Sequence, residues 1–145
     1  MNGSVPAKNG SVLDAQGARV LHTMIRVFDL DRSIEFYGRI LGMRVLLRRE
    51  VEPGGRSLAF VGYGDEAKDA VIELIHDKRQ REPYTHGSGY GHVALAVSDV
   101  HAACKALEKA GVTIARPPMR PPNGRFTIAF IKDPDGYEIE LIERS

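Results

Sequence analysis

The chain has 145 residues, 43% of them hydrophobic, enough for one well-buried domain or for two half-domains that share a core. Its 20 basic and 19 acidic residues leave a formal charge of +1, which excludes the electrostatic footprint of a nucleic-acid binder and a polybasic membrane anchor, and points to a small-molecule partner. A lone cysteine, Cys104, excludes a disulfide framework and a cysteine metal motif, and fits a cytoplasmic protein.

Residues 1–20 contain Gly3, Ser4, Pro6, Asn9, Gly10 and Ser11 and lack the apolar centre of a signal peptide, so they read as a flexible arm outside the fold. No apolar run approaches the roughly 20 residues of a membrane helix. The remainder, 21–145, reads as a single α+β domain. Residues 21–28 are strand-like. Asp29 or Asp31 can then cap a helix whose apolar positions Leu30, Ile34, Tyr37 and Leu41 recur every three or four residues, and Gly42 stops it. Strand-like runs follow at 43–50, 57–62 and 70–76, separated by Pro53-Gly54-Gly55 and by a turn at 62–65.

Residues 77–89, polar and rich in Lys78, Arg79, Gln80 and Arg81, read as a linker. The order then restarts. A strand at 91–97 leads to a helix capped by Asp99 and stopped by Gly111, then to strands at 112–116, 126–132 and 137–142, with a loop at 117–124 and a turn at Asp133-Pro134-Asp135-Gly136. Residues 21–76 and 90–145 are thus two βαβββ modules in tandem.

The modules share sequence as well as order. Ile72-Glu73-Leu74-Ile75 recurs as Ile139-Glu140-Leu141-Ile142, and His22, Val27 and Asp29 return as His92, Val97 and Asp99, each 70 residues on. Each module therefore opens on a histidine strand and closes on a glutamate strand. A carboxylate within an apolar strand is costly to bury without compensation, and an edge-strand glutamate facing water is the bland alternative. The repetition favours a function. Glu138 lies on the same strand face as Glu140 but has no counterpart in the first module, where Val71 stands; His76, His86 and His101 likewise have no repeat partner. Two neutral imidazoles and two carboxylates, from His22, Glu73, His92 and Glu140, balance a divalent ion and suit Ni²⁺, Co²⁺, Mn²⁺, Fe²⁺ or Zn²⁺, with positions left open for Lewis-acid chemistry.

With these residues in view, the chain resembles the glyoxalase I family of the vicinal oxygen chelate superfamily. The resemblance rests on Leu21-His-Thr-Met-Ile-Arg-Val27, Arg32-Ser-Ile-Glu-Phe-Tyr37, Leu41-Gly-Met43, Leu58-Ala-Phe-Val-Gly-Tyr-Gly64, Val71-Ile-Glu-Leu74, Tyr90-Gly-His92, Ile128-Ala-Phe130, Asp133-Pro-Asp-Gly-Tyr137 and Ile139-Glu-Leu-Ile142. It implies paired βαβββ modules, a homodimer with two interfacial sites, and a metal held by His22 and Glu73 of one chain with His92 and Glu140 of the other. The compact, insertion-poor length is similar to members that prefer Ni²⁺ or Co²⁺, with Zn²⁺ the alternative. The implied reaction isomerises the hemithioacetal of methylglyoxal and glutathione to S-lactoylglutathione, with Glu140 as principal base and Glu73 serving the opposite stereoisomer.

The resemblance further implies that Arg26, on the same strand face as His22, holds the γ-glutamyl carboxylate of the glutathione cosubstrate by a two-pronged contact. The family's asparagine after the first glutamate is here Asp77, with Lys78 and Arg79 in place of Trp-Gly, so that Asp77 either repels that carboxylate or receives the substrate amino group. Residues 119–125 also depart from the family's glycine-rich loop. The alternatives are another vicinal oxygen chelate enzyme, an epimerase or dioxygenase on a different substrate, and a binding protein that sequesters a drug or metabolite.

Overall fold

The computed structural model describes residues 10–145. Of the arm expected at 1–20, residues 1–9 lie outside the described residues; residues 10–13 and 15–20 are exposed, and a single 3₁₀ turn spans Asp14–Gln16.

The fold is α+β and built from two βαβββ modules. In the first, β1 (His22–Arg26) leads through α1 (Leu30–Ile34) to β2 (Arg44–Val51), β3 (Arg56–Gly62) and β4 (Val71–Asp77); in the second, β5 (Val93–Val97) leads through α2 (Val100–Lys109) to β6 (Thr113–Met119), β7 (Ile128–Lys132) and β8 (Glu138–Glu143). Each module makes its own four-stranded sheet, ordered β1-β4-β3-β2 and β5-β8-β7-β6. The first and last strands of a module are parallel neighbours, and the other pairings are antiparallel. This topology places the histidine and glutamate strands side by side.

Local chemistry repeats with the sequence. Asp29 Oδ1 accepts from Arg32 N at 3.0 Å and Asp99 Oδ1 accepts from Ala102 N at 2.9 Å, each satisfying a free amide at a helix start. Gly42 and Gly111 follow the two helical segments at φ +78° and +87°, where a side chain would be strained. One sheet face packs on the helices: Val27, Ala59, Val61 and Leu74 from the first module join Val100, Ala129, Ile131 and Leu141 from the second in a common core. Polar contacts also tie the modules together. Tyr37 Oη donates to buried Asp133 Oδ2 at 2.7 Å, Phe28 N donates to Asp135 Oδ1 at 2.9 Å, and Tyr137 Oη donates to the Arg26 carbonyl at 2.7 Å.

Three local features differ from expectation. The first helix changes pitch and runs on as a π-helical segment, Glu35–Ile40, which keeps Phe36 and Tyr37 turned into the core. Strand β6 continues through Pro117 and Pro118 to Met119 instead of breaking into a loop; β6 is a sheet edge, where a missing amide is tolerated, and its pairing with β7 is irregular on both sides of Arg116. In the first module Asp77 closes β4, while in the second His92 lies just ahead of β5.

Candidate metal centre

Alternation along the strands sorts side chains by face. In β4, Ile72 and Leu74 are buried while Glu73 points to the opposite face, and in β8 Ile139 and Leu141 are buried while Glu140 does the same. Parallel pairing then brings each glutamate against its module's histidine. His22 Nε2 stands 2.9 Å from Glu73 Oε2, and His92 Nε2 stands 2.9 Å from Glu140 Oε2. Both carboxylates are largely covered, with 14% of the side chain exposed in each case.

A third residue completes each pair. Phe60 lies opposite Glu73 on β3 and meets the His22 ring edge-on at 5.1 Å; Phe130 lies opposite Glu140 on β7 and meets the His92 ring edge-on at 5.4 Å. These phenylalanines wall the imidazoles on one side and fix their tilt. They were legible in principle, because Leu58-Ala59-Phe60 and Ile128-Ala129-Phe130 stand at the same 70-residue offset as the histidines.

The donor sets fit a divalent cation. Nitrogen and oxygen donors at about 2.1 Å from one ion and at right angles to each other stand about 2.9 Å apart, the separation that both His–Glu pairs present. The chain does not gather all four donors: among the described residues there is no cluster of three or more His, Cys, Asp and Glu able to hold an ion. Each module brings together one histidine and one glutamate.

The two expected substrate contacts lie along the first sheet. Arg26 ends β1, on the exposed side with His22 and Met24. It borders a cavity of about 240 Å³ that is also lined by Tyr84, His86, Tyr90 and Tyr137. Asp77 is engaged by neighbouring arginines: Arg79 grips both its carboxylate oxygens at 2.8 and 3.0 Å, and Arg56 Nε stands 3.5 Å away. Hydrogen bonds from Arg79 hold the Asp77 carboxyl well below the usual carboxylate range. Its charge is therefore offset, and repulsion of a substrate carboxylate is reduced. Residues 84–90 contribute an aromatic group that the sequence left unassigned, with His86 stacked on Tyr137 at 4.2 Å and the Tyr90 hydroxyl pushed up to about 12 by burial.

Comparison with known proteins decides the family. Residues 19–141 match the Glyoxalase/Bleomycin resistance protein/Dioxygenase superfamily. The chain belongs to this superfamily. Within it, the chain is 48% identical over 126 residues to a probable lactoylglutathione lyase of Synechocystis, spanning 87% of this chain and 95% of that one. It is 47% identical over 125 residues to the lactoylglutathione lyase of Escherichia coli O157:H7, spanning 86% and 92%. Among solved structures, the trypanothione-dependent glyoxalase I of Leishmania major superposes with a TM-score of 0.75 at 43% identity, covering 87% of this chain and 86% of that one. Glyoxalase I of Zea mays superposes with a TM-score of 0.82 at 38% identity; the chain spans 45% of the maize protein's length.

Proposed function

We propose that the chain is a metal-dependent lactoylglutathione lyase that converts the hemithioacetal of methylglyoxal and glutathione to S-lactoylglutathione. One observation carries the reading: the twin His–Glu pairs at 2.9 Å, in a chain that is nearly half identical along its length to lactoylglutathione lyases. Four ligands, His22, Glu73, His92 and Glu140, would hold the metal. Because one chain carries them as two separate halves, the working unit is a homodimer in which the first module of one protomer faces the second module of its partner. The compact modules favour Ni²⁺ or Co²⁺ over Zn²⁺. No helix among the described residues is long and apolar enough to cross a membrane, and the single, buried cysteine fits a cytoplasmic setting.

The reaction moves the C1 proton of the hemithioacetal to C2 and the hydroxyl proton from the C1 oxygen to the C2 oxygen, an isomerisation that needs no oxidant or further reactant. Lewis-acid stabilisation of the negative charge that develops on the two adjacent substrate oxygens is what a bound divalent ion supplies. Glu140 takes the proton from C1 and returns it to C2, with Glu73 placed to do so for the opposite stereoisomer. Phe60 and Phe130 keep water from one side of each imidazole and hold the rings in place. Arg26 anchors the γ-glutamyl carboxylate at the end of β1, and the Asp77–Arg79 pair lies at the matching end of β4. With its charge offset by arginines, Asp77 is positioned to receive the substrate amino group without expelling the carboxylate.

The test is thioester formation from methylglyoxal pre-equilibrated with glutathione, using metal-free protein supplied in parallel with Ni²⁺, Co²⁺ or Zn²⁺. Turnover that depends on added metal, fastest with Ni²⁺ or Co²⁺, is the expected result. Stoichiometric metal uptake with no turnover under any metal would contradict the lyase reading.

A further inference from the structure

The two histidines are alike on one ring nitrogen and differ on the other. Both present Nε2 to a glutamate at 2.9 Å. Around Nδ1 the modules diverge: His22 Nδ1 is buried without a hydrogen-bond partner, and the Glu66 carboxylate stands 3.6 Å from it. Among the described residues, His92, 42% exposed, has no such carboxylate.

When the Nε2 lone pair of a neutral imidazole is given to an ion, the remaining ring proton sits on Nδ1, and a buried Nδ1–H needs an acceptor. Glu73 already faces Nε2 and cannot serve. Among the described residues, Glu66 is the other carboxylate within 4 Å of the ring, and no lysine or arginine within that distance competes for it. The loop is built to present it. The Asp65 carbonyl accepts from Lys68 N and Asp69 N at 2.9 and 2.8 Å, Asp65 Oδ1 accepts from Ala67 N at 2.9 Å, and the Glu66 carbonyl accepts from Arg19. Gly64 suits the tight closure, since a Cβ there would collide with the Asp69 carboxylate. The Glu66 carboxylate, 38% exposed on the wall of a cavity of about 450 Å³ beside Phe60, has room for the small shift from 3.6 Å to hydrogen-bond distance.

We propose that Glu66 is a positioning residue that accepts a hydrogen bond from His22 Nδ1–H, so fixing the tautomer and orientation in which His22 Nε2 ligates the divalent ion. The support acts on one of the site's two histidines. The inference rests on His22 being a metal ligand, as proposed above.

Ni²⁺ affinity, measured by competition with a chromogenic chelator, provides the test. Glu66→Ala should weaken binding roughly 10- to 100-fold, the usual effect of removing such a partner, whereas Glu66→Gln, whose amide oxygen can still accept, should stay within a few-fold of the parent. In protein loaded with diamagnetic Zn²⁺, the His22 Nδ1–H should be a slowly exchanging signal in ¹H–¹⁵N spectra; it should be lost or fast-exchanging in Glu66→Ala, with the His92 signal unchanged. Unchanged affinity and an unchanged His22 signal in Glu66→Ala would overturn the role of Glu66 alone. Failure of the parent protein to take up Ni²⁺ would overturn the metal reading, and this inference with it.

Discussion

Glu73 and Glu140 each interrupt an apolar strand, and each resolves the cost by turning away from the core toward an imidazole 2.9 Å away. Sharing the negative charge with a cation is the natural completion of that arrangement. If Glu140 also carries the proton, Glu140→Gln should lower kcat by roughly 10²- to 10⁴-fold, the range for loss of a general base, while circular dichroism and dimer size stay unchanged. Retained turnover would remove Glu140 as the principal base. At this scale the two His–Glu pairs were the easiest features to read, because His22, Glu73, His92 and Glu140 announce themselves through the repeat. Phe60 and Phe130 carried the same signal but look like ordinary core residues until their pairing opposite the glutamates is known. Glu66 carried none: it sits in a loop without a repeat counterpart, and its nearness to His22 is a product of folding.

Among the elements, the joint between modules holds more than hydrophobic contact. Tyr37, in the π-helical segment after α1, donates to Asp133 in the turn before β8, and both side chains are buried. Burial raises the Tyr37 phenol far above its ordinary value, and the Asp133 charge pushes the same way. Burial also raises Asp133, against the pull of the Tyr37 hydroxyl. A phenol whose pKa is raised by folding contributes its full stability below the unfolded value of about 10, and loses it as pH climbs past that value, because only the unfolded chain then sheds the proton. Tyr37→Phe should therefore cost about 1–3 kcal/mol near neutral pH, by stripping a buried carboxylate of a donor, and should flatten the fall of stability above pH 10 by about one proton. Urea unfolding across that pH range reads both; an unaltered alkaline slope would contradict the assignment. The strands were legible from alternation and the second cap from Asp99, and the first cap was narrowed to Asp29 or Asp31, of which Asp29 serves, whereas the π-helical pitch and the run of β6 through two prolines follow from core packing and from an edge position.

For the whole molecule, duplication explains why the histidines and glutamates come as two separate pairs. Each module places one histidine, one glutamate and one phenylalanine on a sheet face, and the common core lies on the other side. Internal symmetry was plain in the sequence. What local pattern could not reveal is that the two half-sets stay apart within the chain, since this depends on how the modules pack through Tyr37, Asp133 and Asp135.

The most direct measurement mixes two inactive variants, His22→Ala and His92→Ala, under conditions that exchange subunits. If each site draws His22 from one protomer and His92 from its partner, half of the sites in a mixed dimer are intact, and statistical exchange should restore about a quarter of the parental activity. Mixed dimers that form, as shown with distinguishable tags, yet recover no turnover would mean that both histidines serve the same site from one chain, contradicting the shared centre.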